Sequence, residues 1–200
     1  MSEETRVGDP PPYYLVLLHY PVYDKNGCVV TTAVANMDVH DIARAARTYG
    51  VQRYYIVTPL EAQVSLVEKI IAHWKNGYGA VFNPSRREAF QRVCVKTSLD
   101  DVLENVADLS GKEVRLVVTG AGLSDNVITC KSLKSMIEQN EVACIIVFGT
   151  GSGLAAEILD RADYRLSAIK GPSDYNHLSV RSAVSVILDR VWGRMDESLE

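Results

Sequence analysis

The sequence has no run of about eighteen apolar residues, so no segment of it reads as a membrane-spanning helix. Its N-terminus lacks the charged, then apolar, then small-residue order of a secretory signal, and a cytoplasmic location is expected. The four cysteines, Cys28, Cys94, Cys130 and Cys144, form no CxxC pair and have no histidine at ligand spacing. That pattern argues against a zinc cluster and against a disulfide framework, and no metal is expected. An excess of positive charge is also missing. The formal net charge is −4, which counts against an evenly basic nucleic-acid coat but leaves room for a local basic edge. No internal repeat or low-complexity stretch divides the chain.

What is present suits one core. The chain has 200 residues, 47% of them hydrophobic, enough for a single self-standing domain. The opening "MSEETRVGDPPP" is polar and ends in three prolines, so residues 1–12 are expected to form a flexible arm and residues 13–195 one domain. Apolar runs at 13–19, 54–59, 114–120 and 143–149, with a weaker one at 164–169, read as strands. Between them, 60–75, 98–108, 132–140 and 179–192 read as helices, with Gly77 closing the first and Ser179 capping the last. Strands apolar throughout and separated by helices predict an α/β fold, a mostly parallel sheet with helices on both faces.

Two loops carry the functional signal. "VFGTGSGL", Val147 to Leu154, follows the strand 143–148 and alternates glycines at Gly149, Gly151 and Gly153. Glycines there permit either a ligand against the bare backbone or a tight structural turn. Ligands in such sheets sit beyond the carboxyl ends of the strands, where this loop falls. The common nucleotide motifs do not fit: no Lys-Ser/Thr pair completes a Walker A loop, and Leu154 stands where GxGxxG needs its last glycine. A second loop, Tyr175-Asn176-His177-Leu178, enters the last helix. Together the loops offer main-chain N–H and C=O groups beside apolar side chains, a chemistry that suits adenine better than phosphate.

"FGTGSGL", followed after one helix and one strand by "NHLSVRSA", resembles the second and third motifs of the SPOUT superfamily of RNA methyltransferases. "NMDVHDIARAARTYGVQRYYIVTP" resembles the first motif of its SpoU-like branch, in which an asparagine, here Asn36, precedes an arginine, here Arg44, by about two helical turns. The similarity covers most of 13–192 and is greatest to small stand-alone bacterial members. It implies a C-terminal deep trefoil knot, S-adenosyl-L-methionine as methyl donor and a homodimer whose sites are built partly from the second chain. It carries donor contacts onto Val118, Thr119 and Gly120, onto Phe148, Gly149, Thr150 and Gly151, and onto Ile169, Gly171, Leu178 and Ser179.

The match also departs from the branch pattern: Thr150 and Ser152 stand where its glycine loop usually has a glutamate, and His177 where its third motif has an asparagine. Ribose 2′-oxygen and base nitrogen therefore both stay open as acceptors on tRNA or rRNA. Arg44, Asn36 and His177 are the candidates for the chemistry, Arg44 by stabilising developing oxyanion charge. Arg47, Arg86 and Arg87 are candidates for RNA phosphate contacts. The competing readings are a surface pair of Arg44 with Asp41 and a donor-binding sensor without catalytic activity.

Overall fold

The computed structural model describes residues 12–123, 125–173 and 175–193; apart from Pro12, the expected arm lies outside them, as do residues 194 and 195 of the expected domain. In chain order the elements are β1 (Tyr13–Leu18), the hairpin of β2 (Val22–Tyr23) and β3 (Val29–Val30), α1 (Asn36–Thr48), β4 (Arg53–Val57), α2 (Glu61–Lys75), α3 (Tyr78–Phe82) and α4 (Pro84–Phe90). Then come β5 (Val93–Lys96), α5 (Leu99–Ser110), β6 (Val114–Val118), β7 (Val127–Ile128), α6 (Cys130–Gln139), β8 (Ala143–Gly149), α7 (Ala156–Asp160), β9 (Tyr164–Leu166) and α8 (Val180–Trp192).

Seven strands form one sheet in the order β5-β4-β1-β8-β6-β9-β7. Every pairing in it is parallel. Alternation along β1 sends Tyr13, Leu15 and Leu17 into one core and Tyr14, Val16 and Leu18 into the other. The first core receives Val39, Ile42, Ala43 and Ala46 of α1, Leu133 and Ile137 of α6, and Val184, Ile187, Leu188 and Val191 of α8. The second receives Leu99, Val102 and Val106 of α5 and Ile158 of α7. Burial on both faces is why the central strands show no polar alternation.

Local chemistry sets the helix ends. Ser98 and Asp101 form a reciprocal capping box at the start of α5, and Gly111 ends it in the left-handed region at φ 63°. Ser179 caps α8 as expected, its hydroxyl accepting from Ser182 N–H. Gly77, in contrast, does not close α2: Asn76 is the C-cap, and Gly77 has φ −89° and begins α3. Besides the short β2–β3 hairpin, two strands of the main sheet escaped the sequence reading. β5 is four residues at the sheet edge and only partly buried, and β7 has two residues. The weak run at 164–169 is a strand only to Leu166, after which the chain turns along the carboxyl edge of the sheet.

That edge collects the ends of β1, β6, β8 and β9. From β1 the chain builds outward through β4 to β5, then crosses back to place β6, and later β8, on the other side of β1. Such a reversal opens a crevice at the strand ends. Just past β1, His19 is fully buried and its N–H donates to Val57 O at 2.9 Å. Its Nδ1 lies 3.0 Å from Thr32 Oγ1. Thr150 Oγ1 donates to Leu18 O at 3.1 Å and meets the Thr32 hydroxyl, which also reaches back to His19 O at 3.4 Å. The other ring nitrogen, Nε2, has no hydrogen-bond partner among the described residues.

Burial pushes the His19 pKa down from 6.5 to about 4. The unfolded chain therefore takes up a proton that the folded chain refuses across this window, and stability present above the unfolded value is lost as pH falls through the folded one. Urea unfolding at about pH 7 and about pH 5 should show His19→Asn losing about 1–2 kcal/mol less on acidification than wild type. An identical loss in both proteins would remove His19 from the acid response.

Candidate functional site

The carboxyl edge encloses a cavity of about 720 Å³, within the size range of small-molecule sites. Thr119 and Gly120 after β6 form one wall, and the loop from Phe148 to Gly153 after β8 forms the floor. Residues 166–169 after β9 and 176–180 entering α8 close it, with Ala183 and Ile187 of α8 behind. Thr32, Ala33 and Asp38 complete the side next to α1. Among the described residues, none between Ala168 and Leu178 makes a main-chain hydrogen bond to the protein. Folded chains pair most of their backbone groups, so the members of this stretch that line the cavity, Ala168, Ile169 and Asn176 to Leu178, present N–H and C=O groups with no partner among the described residues, beside the apolar surfaces of Leu166, Ile169 and Leu178.

The glycines of the loop answer to the protein as well as to the cavity. A Cβ on Gly151, which has φ +59°, would lie 2.6 Å from Tyr23 O, and one on Gly149 would lie 2.9 Å from Leu154 Cγ. The β2–β3 hairpin grips this turn: Tyr23 N–H donates to Gly153 O at 2.8 Å and Ser152 N–H to Tyr23 O at 2.7 Å. Thr32 and Thr150 join their hydroxyls across the same contact. At Gly151 the Cβ direction supports close packing of main chain on main chain, at Gly149 it meets Leu154, and at Gly153 a Cβ would meet nothing within 4 Å; all three glycines also line the cavity.

Most of the expected donor contacts converge here. Thr119, Gly120, Phe148, Gly149, Thr150, Gly151, Ile169, Leu178 and Ser179 all line the cavity, and so does His177, which packs edge-on to Tyr175 with ring centroids 5.3 Å apart. Two contacts do not: Val118 is fully buried beneath the wall and Gly171 is exposed outside the lining. Asn36 is the exposed first residue of α1 and also lies outside the lining. Arg44 belongs to a separate groove of about 270 Å³ with Arg47, Asn83, Arg86 and Glu88. Its side chain is 62% exposed, and Nη1 lies 3.9 Å from Asp41 Oδ1, the surface pair weighed against a chemical role. Arg47 is not free either, since its Nε–H donates to Glu88 Oε1 at 2.9 Å. Arg86 sits 4.7 Å above the Trp74 ring, and Arg87 is exposed with no ion pair among the described residues.

The sequence reading missed the pair that joins the cavity to α1. Arg181 Nη1 donates to the buried Asp38 Oδ1 at 3.1 Å, and Arg181 Nε lies 3.7 Å from Asp41 Oδ2. Asp41 thus links Arg181 to Arg44. A signal existed: an arginine in the first turn of a helix faces the positive end of the helix dipole and calls for a carboxylate. Among the described residues, no cluster of three or more His, Cys, Asp or Glu side chains is arranged to hold a metal ion.

Residues 12–193 match the family described as SAM-dependent RNA methyltransferase. The chain belongs to that family. It is 40% identical over 181 residues to an uncharacterized protein of Aquifex aeolicus (strain VF5), covering 90% of this chain and 88% of the relative. It is also 40% identical over 183 residues to a tRNA (guanine-N(1)-)-methyltransferase of Nitratidesulfovibrio vulgaris, covering 90% of this chain but only 42% of that protein. The name of that relative describes a chain more than twice as long as the part that matches. In fold, the chain resembles the SpoU methyltransferase AviRb of Streptomyces viridochromogenes solved with AdoMet, with a TM-score of 0.57, 14% identity, and coverage of 92% of this chain and 58% of AviRb. SpoU-type neighbours imply the C-terminal trefoil knot. The family's methyl donor, S-adenosyl-L-methionine, fits the cavity: its volume, its unpaired main-chain wall and its apolar sides match an adenine nucleoside with a polar tail.

Gly151→Ala should be costlier than Gly27→Ala. Both glycines have positive φ, but a Cβ at Gly27 meets nothing within 4 Å. Gly27→Ala carries backbone strain alone, about 1–2 kcal/mol. Gly151→Ala adds the collision with Tyr23 O and should lose clearly more in thermal unfolding, together with donor affinity. Equal losses would show that the hairpin does not constrain the loop.

Proposed function

We propose that the chain, as a single domain over residues 13–195 in the cytoplasm, methylates a nucleotide of tRNA or rRNA at a ribose oxygen or a base nitrogen. The observation that carries the reading is the cavity whose lining residues Ala168, Ile169 and Asn176 to Leu178 make no main-chain hydrogen bond to another described residue. When bound, S-adenosyl-L-methionine supplies a methyl group already activated by its sulfonium. The residues Thr119, Gly120, Phe148, Gly149, Thr150, Gly151, Ile169, Leu178 and Ser179 are proposed to hold it, and to align rather than activate it. His177 in the lining, with Tyr175 packed against it, is proposed to meet the acceptor nucleotide.

Arg44 is the proposed stabiliser of charge developing on the acceptor oxygen or of the adjoining phosphate, with Asn36 positioning the acceptor. It follows the cavity residue Asp38 by six positions on α1, about 9 Å along the axis and about 240° around it. Within one chain, then, Arg44 faces away from the donor. A homodimer that sets α1 of one copy against the cavity of the other removes this separation, and we propose that assembly. Arg47, Arg86 and Arg87 would meet RNA phosphates beside it.

RNA from cells lacking the gene, incubated with purified protein and labelled donor, should gain one methylated nucleoside that is missing from those cells. Arg44→Ala should reduce transfer to that RNA about a hundredfold or more while leaving donor affinity unchanged. Transfer at the wild-type rate would remove Arg44 from the chemistry. A protein that binds the donor yet methylates no such RNA would be the non-catalytic sensor. Sedimentation equilibrium at micromolar concentration should give a dimer, and a monomer throughout would contradict the shared site.

A further inference from the structure

α3 reverses the side-chain distribution of an ordinary surface helix. Its small residues Gly79 and Ala80 are buried, while Tyr78, Val81 and Phe82 are 75%, 82% and 72% exposed. Glycines hold it in this attitude. A Cβ on Gly77 would lie 2.8 Å from His73 O, and one on Gly79 would lie 2.7 Å from His73 Nε2 and 2.8 Å from Trp74 Cε3. The bare side of α3 is thus pressed against the end of α2, and its large apolar residues face outward. Tyr78 and Phe82, one turn apart, stack with centroids 6.0 Å apart and an interplanar angle of 23°. Leaving such rings in water forgoes burial that folding normally gains, and clustered exposed apolar surface marks an interaction site.

The neighbouring charge indicates what the rings meet. Asn83 follows Phe82, caps α4 by accepting from Arg86 N–H at 3.0 Å, and lines the groove that also holds Arg44 and Arg86. Arg86 and Arg87 form no ion pair among the described residues, whereas Glu88 is occupied by Arg47. Stacked aromatics beside uncompensated guanidinium groups, in a chain of net charge −4, complement a polyanion that also has flat faces. A second copy meeting this face about a two-fold axis would bring the same unpaired arginines together, which disfavours self-association as its use.

We propose that Tyr78 and Phe82 form a stacking platform for unpaired bases of the RNA substrate, with Arg86 and Arg87 holding the phosphates on either side. The proposal takes only the class of partner from the RNA methyltransferase reading. It adds that the bound segment is single-stranded, because ring faces reach base faces only where the bases are unstacked.

Fluorescence anisotropy with fluorescein-labelled oligoadenylate of about twelve nucleotides and with an RNA duplex of the same length tests it. Tyr78→Ala with Phe82→Ala should weaken single-strand binding by about ten- to a hundredfold and duplex binding hardly at all. Tyr78→Phe with Phe82→Tyr should keep wild-type affinity. Arg86→Ala with Arg87→Ala should flatten the salt dependence for both probes. Donor affinity by calorimetry should stay unchanged in all three, which separates this surface from the cavity. Unaltered single-strand affinity in the double alanine variant, or a wild type that does not prefer the single strand, overturns the platform. So does a dimer that this variant dissociates, which would assign the face to self-association. Single-strand binding without any methyl transfer would contradict the enzyme reading and leave the platform standing.

Discussion

The arrangement depends on β8 being paired on both sides. β8 lies between β1 and β6, in register with each along its length, and six of its seven residues are buried. A strand held this way has no freedom to slide, since a one-residue slip would exchange its two apolar faces. Its carboxyl end, Gly149, is therefore fixed beside the ends of β1 and β6. The glycine loop that floors the cavity starts from that point.

The hairpin of β2 and β3 extends this control to the loop itself. Tyr23 bonds to both Ser152 and Gly153, and the Thr32–Thr150 contact continues to His19 at the end of β1. The floor of the cavity is thus tied to the hairpin by hydrogen bonds. On the opposite wall, Ala168, Ile169 and Asn176 to Leu178 make no such bonds to other described residues. A ligand entering between them meets one preorganised surface and one that gains its hydrogen bonds on binding. The ordering cost falls on that second wall.

Much of this was legible in the sequence because it has a local cause. The parallel α/β fold followed from apolar strands such as 143–149, and the α8 cap from Ser179. Nine of the eleven donor contacts inferred from the family motifs line one cavity. The failures are equally physical. Gly77 resembled a helix cap because spacing shows where a glycine falls, whereas its cause is a close approach to His73 O that only packing reveals. The Asp38–Arg181 pair joins residues 143 positions apart. The outward aromatics of α3 were hidden because Tyr78 and Phe82 have the one-turn spacing of any buried helical pair.

The central claim is that the cavity at the ends of β6, β8 and β9 binds S-adenosyl-L-methionine. Isothermal titration calorimetry on the purified chain tests it most directly, with S-adenosyl-L-methionine, its demethylated product, ATP and NAD titrated in turn. The account predicts micromolar-range binding of the first two at one site per chain, lost on filling the wall by Ala183→Trp and unaffected by Arg44→Ala. Binding of ATP or NAD with no heat from either methyl-donor compound would contradict it.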